Sequence, residues 1–256
     1  VTVATDPANL SGLLARMPEA MWVDVLGADA EPTLSSAMAA ASVMVLGPGL
    51  GRGAWAQQVI GALESYDGPM VIDADGLYWL ADSARAKTLR NRGRPLFLTP
   101  HVGEAARLLE CRTDEILSNP RQAVIDMSER FNATCLLKGP GTIIGTRMGQ
   151  AICAHGNPGM ASAGMGDVLA GLVGSLIAQQ PSSPDLAFTA GVLLHSAAAD
   201  QAAEKIGMRG ITASFIIFIQ MDNIFFTLTK YIIKQIKKMY TNICSNTTRF
   251  INITFP

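Results

Sequence analysis

The sequence predicts an α/β sandwich built on a mainly parallel sheet. Short apolar runs such as SVMVL (42–46), PMVID (69–73) and PLFLT (95–99) alternate with longer stretches of helical period, the pattern of successive strand–helix units. Glycines, acids, a histidine and a lysine follow these runs at once. In open α/β sheets that edge, beyond the carboxyl ends of the strands, is where ligands sit. The chain has 256 residues, 49% of them apolar, enough for a sizeable core in one large or two small domains.

Val1 to Thr5 reads as a β-branched strand, residues 7–17 as a helix and Met21 to Leu26 as a second strand. Ser42 to Leu46 meets GPGLGRG (47–53). Four glycines after a buried strand suit a loop that lets backbone approach a ligand, although a tight turn is the plainer alternative. The loop lacks the Lys-Ser/Thr ending of a P-loop. Ala54 to Tyr66 follows as a helix. Pro69 to Asp73 is a buried strand ending in Asp73 and Asp75, which are candidate ligand or magnesium contacts. Asp75 could equally cap the next helix. Pro95 to Thr99 ends at Pro100, and His101 and Glu104 then open a helix through Leu109. His101 is either a site residue or an ordinary surface histidine. Residues 119–131 form another helix. Ala133 to Leu137 runs into Lys138-Gly139-Pro140-Gly141-Thr142, where Lys138 either holds a phosphate as a point charge or lies solvated. Ile143 and Ile144 begin a hairpin turning near Arg147 to Gly149. Pro184 to Lys205 is a long Ala-rich helix carrying His195 and Asp200, and His195 reads as packing.

The organising stretch is Asn157 to Gln179, NPGMASAGMGDVLAGLVGSLIAQ. Gly159, Gly164 and Gly166 lie among small residues. Val168, Leu169, Leu172, Val173, Leu176 and Ile177 then recur at helical spacing. A glycine loop entering a helix leaves N–H groups unpaired at the positive end of the helix dipole, a ready phosphate site. Asp167 stands at that joint. An acid beside an anion site suits proton or metal handling; a helix cap is the alternative.

The net charge of −1 gives no electrostatic case for nucleic acid. Four scattered cysteines without a CxxC pair argue against disulfides or zinc and fit a reducing cytoplasm. The three histidines are far apart, and VTVATDPANL has no signal-peptide character. Composition breaks near residue 211: all 24 glycines lie before it, and the last 46 residues hold 11 isoleucines and six of the nine phenylalanines. That final stretch carries a net +4 and the remainder −5.

GPGLG (47–51), VIDADGL (71–77), LTPHVGEAARLL (98–109), LLKGPGTII (136–144) and the 157–179 stretch together resemble the ADP/ATP-dependent NAD(P)H-hydrate dehydratases of the ribokinase-like superfamily. The resemblance covers about residues 1–214. It implies a three-layer ribokinase-like sandwich and the repair of hydrated NADH and NADPH (NADHX and NADPHX), with ADP or ATP as phosphoryl donor and Mg2+ bridging the phosphates. It implies that Asp167 is the general base. Gly49, Leu50, Gly51, His101 and Asp167 match substrate-binding positions. Lys138, Gly139, Gly141, Thr142, Ala163, Gly164, Met165 and Gly166 match nucleotide-binding ones. No metal ligand is assigned, and a cytoplasmic homo-oligomer is expected.

The family's domain ordinarily has a further strand, a Gly-Gly loop and a helix ahead of the VxVAT segment, so the expectation is a domain over 1–214 lacking its first strand and helix. Residues 207–214 look like the family's closing motif, and 215–256 are expected to be an unrelated Ile/Phe/Lys-rich tail. Three alternatives stand beside the dehydratase. One is a small-molecule kinase of the same superfamily. Another is an inactive truncated product that binds nucleotide. The third is a membrane-tethered form through Ile211 to Thr229, opposed by Gln220, Asp222 and Asn223 in mid-segment.

Overall fold

The computed structural model describes residues 1–25, 30–63, 66–82, 93–221 and 252–253. Strand β1 (Thr2–Ala4) pairs in parallel with β2 (Met21–Val23) as a separate two-stranded sheet, with helix α1 (Leu10–Arg16) between them. The 3-10 turn Pro7–Asn9 that leads into α1 is capped by Asp6, whose Oδ1 accepts the Ala8 N–H at 2.8 Å.

Among the described residues the main sheet has seven strands in chain order: β3 (Met44–Leu46), β4 (Met70–Ile72), β5 (Leu96–Leu98), β6 (Thr134–Leu137), β7 (Ile143–Thr146), β8 (Gly149–Cys153) and β9 (Asn252–Ile253). The first four are parallel in register, with Met44 opposite Met70, Met70 opposite Leu96 and Leu98 opposite Cys135. β7 returns antiparallel to β6, and β8 closes the expected hairpin. β9 adds in parallel to β8, Ile152 facing Asn252, so two residues of the expected tail lie in the sheet.

Side-chain alternation along these strands makes the sandwich. Met70, Ile72, Leu96, Leu98, Cys135 and Leu137 point to one face. They meet α3 (Ala54–Leu63), α4 (Ala74–Leu80), α5 (Val102–Leu109), α6 (Thr113–Ser118) and α7 (Pro120–Phe131). Val71, Phe97 and Leu136 point to the other, against α8 (Met165–Gln179) and α9 (Pro184–Ile206). Phe97, fully buried, stacks on Phe188 of α9 with ring centroids 5.3 Å apart. A side chain of this class buried so completely contributes about 1.5–3 kcal/mol. Parallel strands covered on both faces explain why the sequence reads there as unbroken apolar runs.

Two helices had no strong periodic signal and were not expected: α2 (Ala30–Ala40) and α6. The Ala-rich stretch of α2 has little contrast between its faces. Helix α6 is only six residues long, shorter than a pattern needs to show itself. The closing region 207–214 forms a 3-10 turn, Met208–Gly210, and enters α10 (Ala213–Met221). Ile216 and Ile219 of α10 are buried with Ala198, Ala199 and Ala202 of α9 and with Met165. Among the described residues no helix is long and apolar enough to cross a membrane. Residues 222–229 of the segment considered for spanning lie outside them.

His195 packs inside this joint, 2% exposed, with Gln220 Nε2 of α10 3.3 Å from its Nδ1. Burial holds its pKa down at about 4, from an ordinary 6.5. The unfolded chain therefore binds a proton between these values that the folded one refuses. The stabilisation is complete above pH 6.5 and is lost as pH falls toward 4. The expected loss is on the order of 3 kcal/mol across that window. Melting curves from pH 7 to pH 4 should show this slope, and His195→Gln should flatten it.

Candidate active site

The carboxyl ends of β3 to β6 open onto one polar cluster centred on Asp73. Asp73 follows β4 and is 1% exposed. Lys138, immediately after β6, donates from Nζ to Asp73 Oδ1 at 2.8 Å and lies 3.7 Å from Glu104 Oε2. A buried carboxylate without a cation would be costly, so this pair fixes both side chains. Backbone geometry supports it: the Lys138 N–H bonds to Pro100 O at 2.8 Å, bringing His101 and Lys138 side by side as an isolated parallel bridge.

His101 caps α5. Its Nδ1 accepts the N–H groups of Gly103 (3.0 Å) and Glu104 (3.3 Å), while Glu104 Oε2 accepts the His101 N–H at 2.8 Å. This capping box satisfies the helix start reciprocally. With Nδ1 used as an acceptor, the neutral ring carries its proton on Nε2. The ring is 59% exposed, and its Nε2 lies 3.5 Å from Glu104 Oε1. Glu104, by contrast, is nine-tenths buried and turns toward Lys138.

The glycine loop 47–53 packs onto the same centre. A side chain on Gly47, held at φ +129, would bring a Cβ within 1.7 Å of the Asp73 carbonyl oxygen, so only glycine fits. Ala74, beside Asp73, is held at φ +47, a strained value for a residue with a Cβ. Asp75 does not cap α4, whose N-cap residue is Asp73. Asp75 Oδ2 instead accepts the Gly51 N–H at 3.1 Å, and Asp75 Oδ1 accepts from Arg52 Nε at 3.0 Å. Trp79 Nε1 donates to Gly51 O at 3.0 Å. The loop is thus held from α4 with Gly49 at its turn. Leu50 buries its side chain in the core and leaves only backbone to a ligand.

The start of α8 approaches from the opposite layer. Gly164 is the N-cap residue at φ +82, with no side-chain cap. A Cβ on Gly166 would lie 3.3 Å from Lys138 Nζ and 3.4 Å from Asp73 Oδ2, so the helix start touches the ion pair. Met165 is buried among Ile211, Ile216 and Ile219 and contributes backbone alone. Asp167, third in the helix, is exposed and forms no side-chain hydrogen bond among the described residues. Lys138 leads into the exposed Gly139 to Gly141, and Thr142 Oγ1 closes that turn on Gly139 O at 3.3 Å.

Asp200 of α9 fastens the segment ahead of α8. Its carboxylate accepts from Gly156 N (3.0 Å to Oδ2) and Asn157 Nδ2 (3.0 Å to Oδ1) and lies 3.2 Å from His155 Nδ1. Asn157 Oδ1 then accepts the Gly159 N–H at 3.0 Å. Spacing alone could not reveal this link, because 44 residues separate Gly156 from Asp200. Asp73 and Glu104 are likewise absent from the motif-matched site residues, although acids at strand ends were the signal that pointed to them.

Comparison with known proteins fits this geometry. The family model described as NAD(P)H-hydrate dehydratase matches residues 1–220, which takes in most of α10. The bifunctional NAD(P)H-hydrate repair enzyme of Coxiella burnetii is 41% identical over 215 residues, covering 84% of this chain and 42% of that protein. The chain therefore spans about two fifths of the length of the curated relatives it matches. A ribokinase-like superfamily protein from Enterococcus faecalis superposes with a TM-score of 0.72 at 28% identity, covering 93% of this chain and 76% of the other. The Bacillus subtilis ADP/ATP-dependent NAD(P)H-hydrate dehydratase, crystallised with ATP and Mg2+, gives 0.68 at 21% identity over 93% and 78% of the two chains, which shows the shared fold. The α/β sandwich is ribokinase-like, and the chain belongs to the NAD(P)H-hydrate dehydratase family.

Proposed function

We propose that this chain restores hydrated NADH and NADPH by nucleotide-dependent dehydration. The observation that carries the reading is the meeting of the α8 start, at Gly166, with the Asp73–Lys138 pair, with Asp167 the next residue of the helix and exposed. An anion site, a fixed cation and an exposed carboxylate are what transfer of a phosphoryl group to a hydroxyl needs. The hydroxyl on the hydrated nicotinamide ring gives its proton to Asp167 as it attacks the terminal phosphorus of ADP or ATP. The N–H groups of Ala163 to Gly166 steady the transferred group. The terminal P–O bond of the nucleotide breaks and AMP or ADP leaves; the ring C–O bond then breaks, phosphate departs and the neighbouring ring carbon gives up a proton, so the ring double bond returns.

Lys138, Gly139, Gly141 and Thr142 receive the nucleotide. Gly49 to Gly51 and the exposed ring of His101 receive the dinucleotide. Among the described residues no three acids, histidines or cysteines gather to hold a metal. Mg2+ commonly binds through substrate phosphates and one or two carboxylates. It would be held here mainly by the nucleotide, with Asp73 and Glu104 as the candidate carboxylates, and would neutralise charge on the phosphates. All these residues fall within 1–214, and the described residues of α10 beyond them pack on α9.

The test is incubation with hydrated NADH and with either ADP or ATP, following the absorbance of the reduced nicotinamide and the release of phosphate. One phosphate per restored NADH is expected. Nucleotide consumption driven by free hydroxylated pyrimidines or thiazoles, and not by hydrated NADH, would make the chain a small-molecule kinase instead.

A further inference from the structure

One surface cluster is not used by this mechanism. The guanidinium carbons of Arg52 and Arg107 lie 4.2 and 5.4 Å from the centroid of the same ring, that of Tyr78. The three residues come from separate places: the 47–53 loop, α5 and α4. Tyr78 is 36% exposed and Arg52 about half exposed, so the cluster faces water. Arg52 is also tied through Nε to Asp75, which leaves its terminal amines unused by that bond. Arg107 has no carboxylate partner among the described residues. Two cations against one acid leave a local positive excess on a chain of net charge −1.

Such an arrangement is preorganised for an anion. The aromatic face holds each guanidinium by cation–π attraction, and Arg offers a planar fork suited to phosphate oxygens. The cluster adjoins the substrate loop, since Arg52 directly follows Gly51. Arg107 lies six residues along α5 from His101, about 9 Å at the helical rise. The linking phosphates of a dinucleotide carry one charge each and suit the N–H groups of the glycine loop. A phosphate monoester carries up to two charges and suits two guanidiniums set back from the strand ends.

We propose that Arg52 and Arg107, braced on Tyr78, form a subsite for the 2′-phosphate that distinguishes NADPHX from NADHX. The proposal rests on the reading that the hydrated dinucleotide occupies the Gly49–Gly51 and His101 side.

The test is calorimetric titration with NADP+ and NAD+, which needs no turnover, on the parent chain, Arg107→Gln, Arg52→Gln and Arg52→Lys. Arg107→Gln should weaken NADP+ about tenfold, the loss of one charge-assisted contact, and leave NAD+ within about twofold. Arg52→Lys should retain much of what Arg52→Gln loses, and circular dichroism melts should show Arg107→Gln folded like the parent. Equal weakening of both dinucleotides, or of neither, in Arg107→Gln would overturn the subsite while leaving the dehydratase reading intact. A parent chain that binds neither dinucleotide would overturn both.

Discussion

Replacing Asp167 with asparagine is expected to lower dehydratase turnover by about a hundredfold or more, in line with the loss of a general base, while nucleotide affinity stays close to the parent's. The side chain is exposed, third in α8, and bonds to nothing among the described residues. The change therefore removes no cap and opens no cavity, and the melting temperature should move little. Asparagine keeps the size and loses the proton acceptor. Single-turnover assays with saturating nucleotide separate the chemical step from binding. Turnover within threefold of the parent would leave Asp167 as a solvated acid. A large loss of nucleotide affinity with unchanged turnover would mean that it serves binding.

Much of the architecture could be read before the structure, because the central strands β4, β5 and β6 are buried on both faces. PMVID and PLFLT leave little else to be, and glycines and acids mark where each strand stops. Their depth is visible in Val71, Phe97 and Leu98, all fully buried. The polar centre was only partly legible. Lys138 and Gly166 are carried by recognisable motifs, but their contact joins opposite layers across 28 residues of chain. Asp75 looked equally like a cap and a ligand, because both uses put an acid just after a strand. Its hydrogen bond to Gly51 shows a third use, support of the loop. Composition alone sets the residues from Phe215 onward apart from the rest of the chain. Ile216 and Ile219 of α10 pack on α9, because an apolar helix needs only a matching apolar face. The dehydratase family model also extends through residue 220.

Lys138→Ala is expected to act on stability and on binding together. Asp73 is 1% exposed and Lys138 Nζ is its cation at 2.8 Å, so removing the ammonium leaves a buried carboxylate unpaired. Breaking a buried pair in this way costs about 3 kcal/mol, the low end of the usual range, because the Lys138 side chain is 22% exposed and water can reach it. Glu104, 3.7 Å away, loses the same partner. Asp73→Asn placed on top of Lys138→Ala removes the stranded charge and should return most of the lost stability, giving a coupling in the double-mutant cycle. Binding should not return with it. Lys138 opens the Gly139 to Thr142 turn taken for nucleotide, so ADP or ATP should weaken by about tenfold or more, the scale of a lost charged contact. NADP+ and NAD+, bound on the His101 and Gly49 side, should change little. Chemical denaturation of the four chains of the cycle, with titration of each ligand, separates the two effects. If the second substitution restored nucleotide affinity along with stability, Lys138 would act only by neutralising Asp73 and would not touch the phosphates.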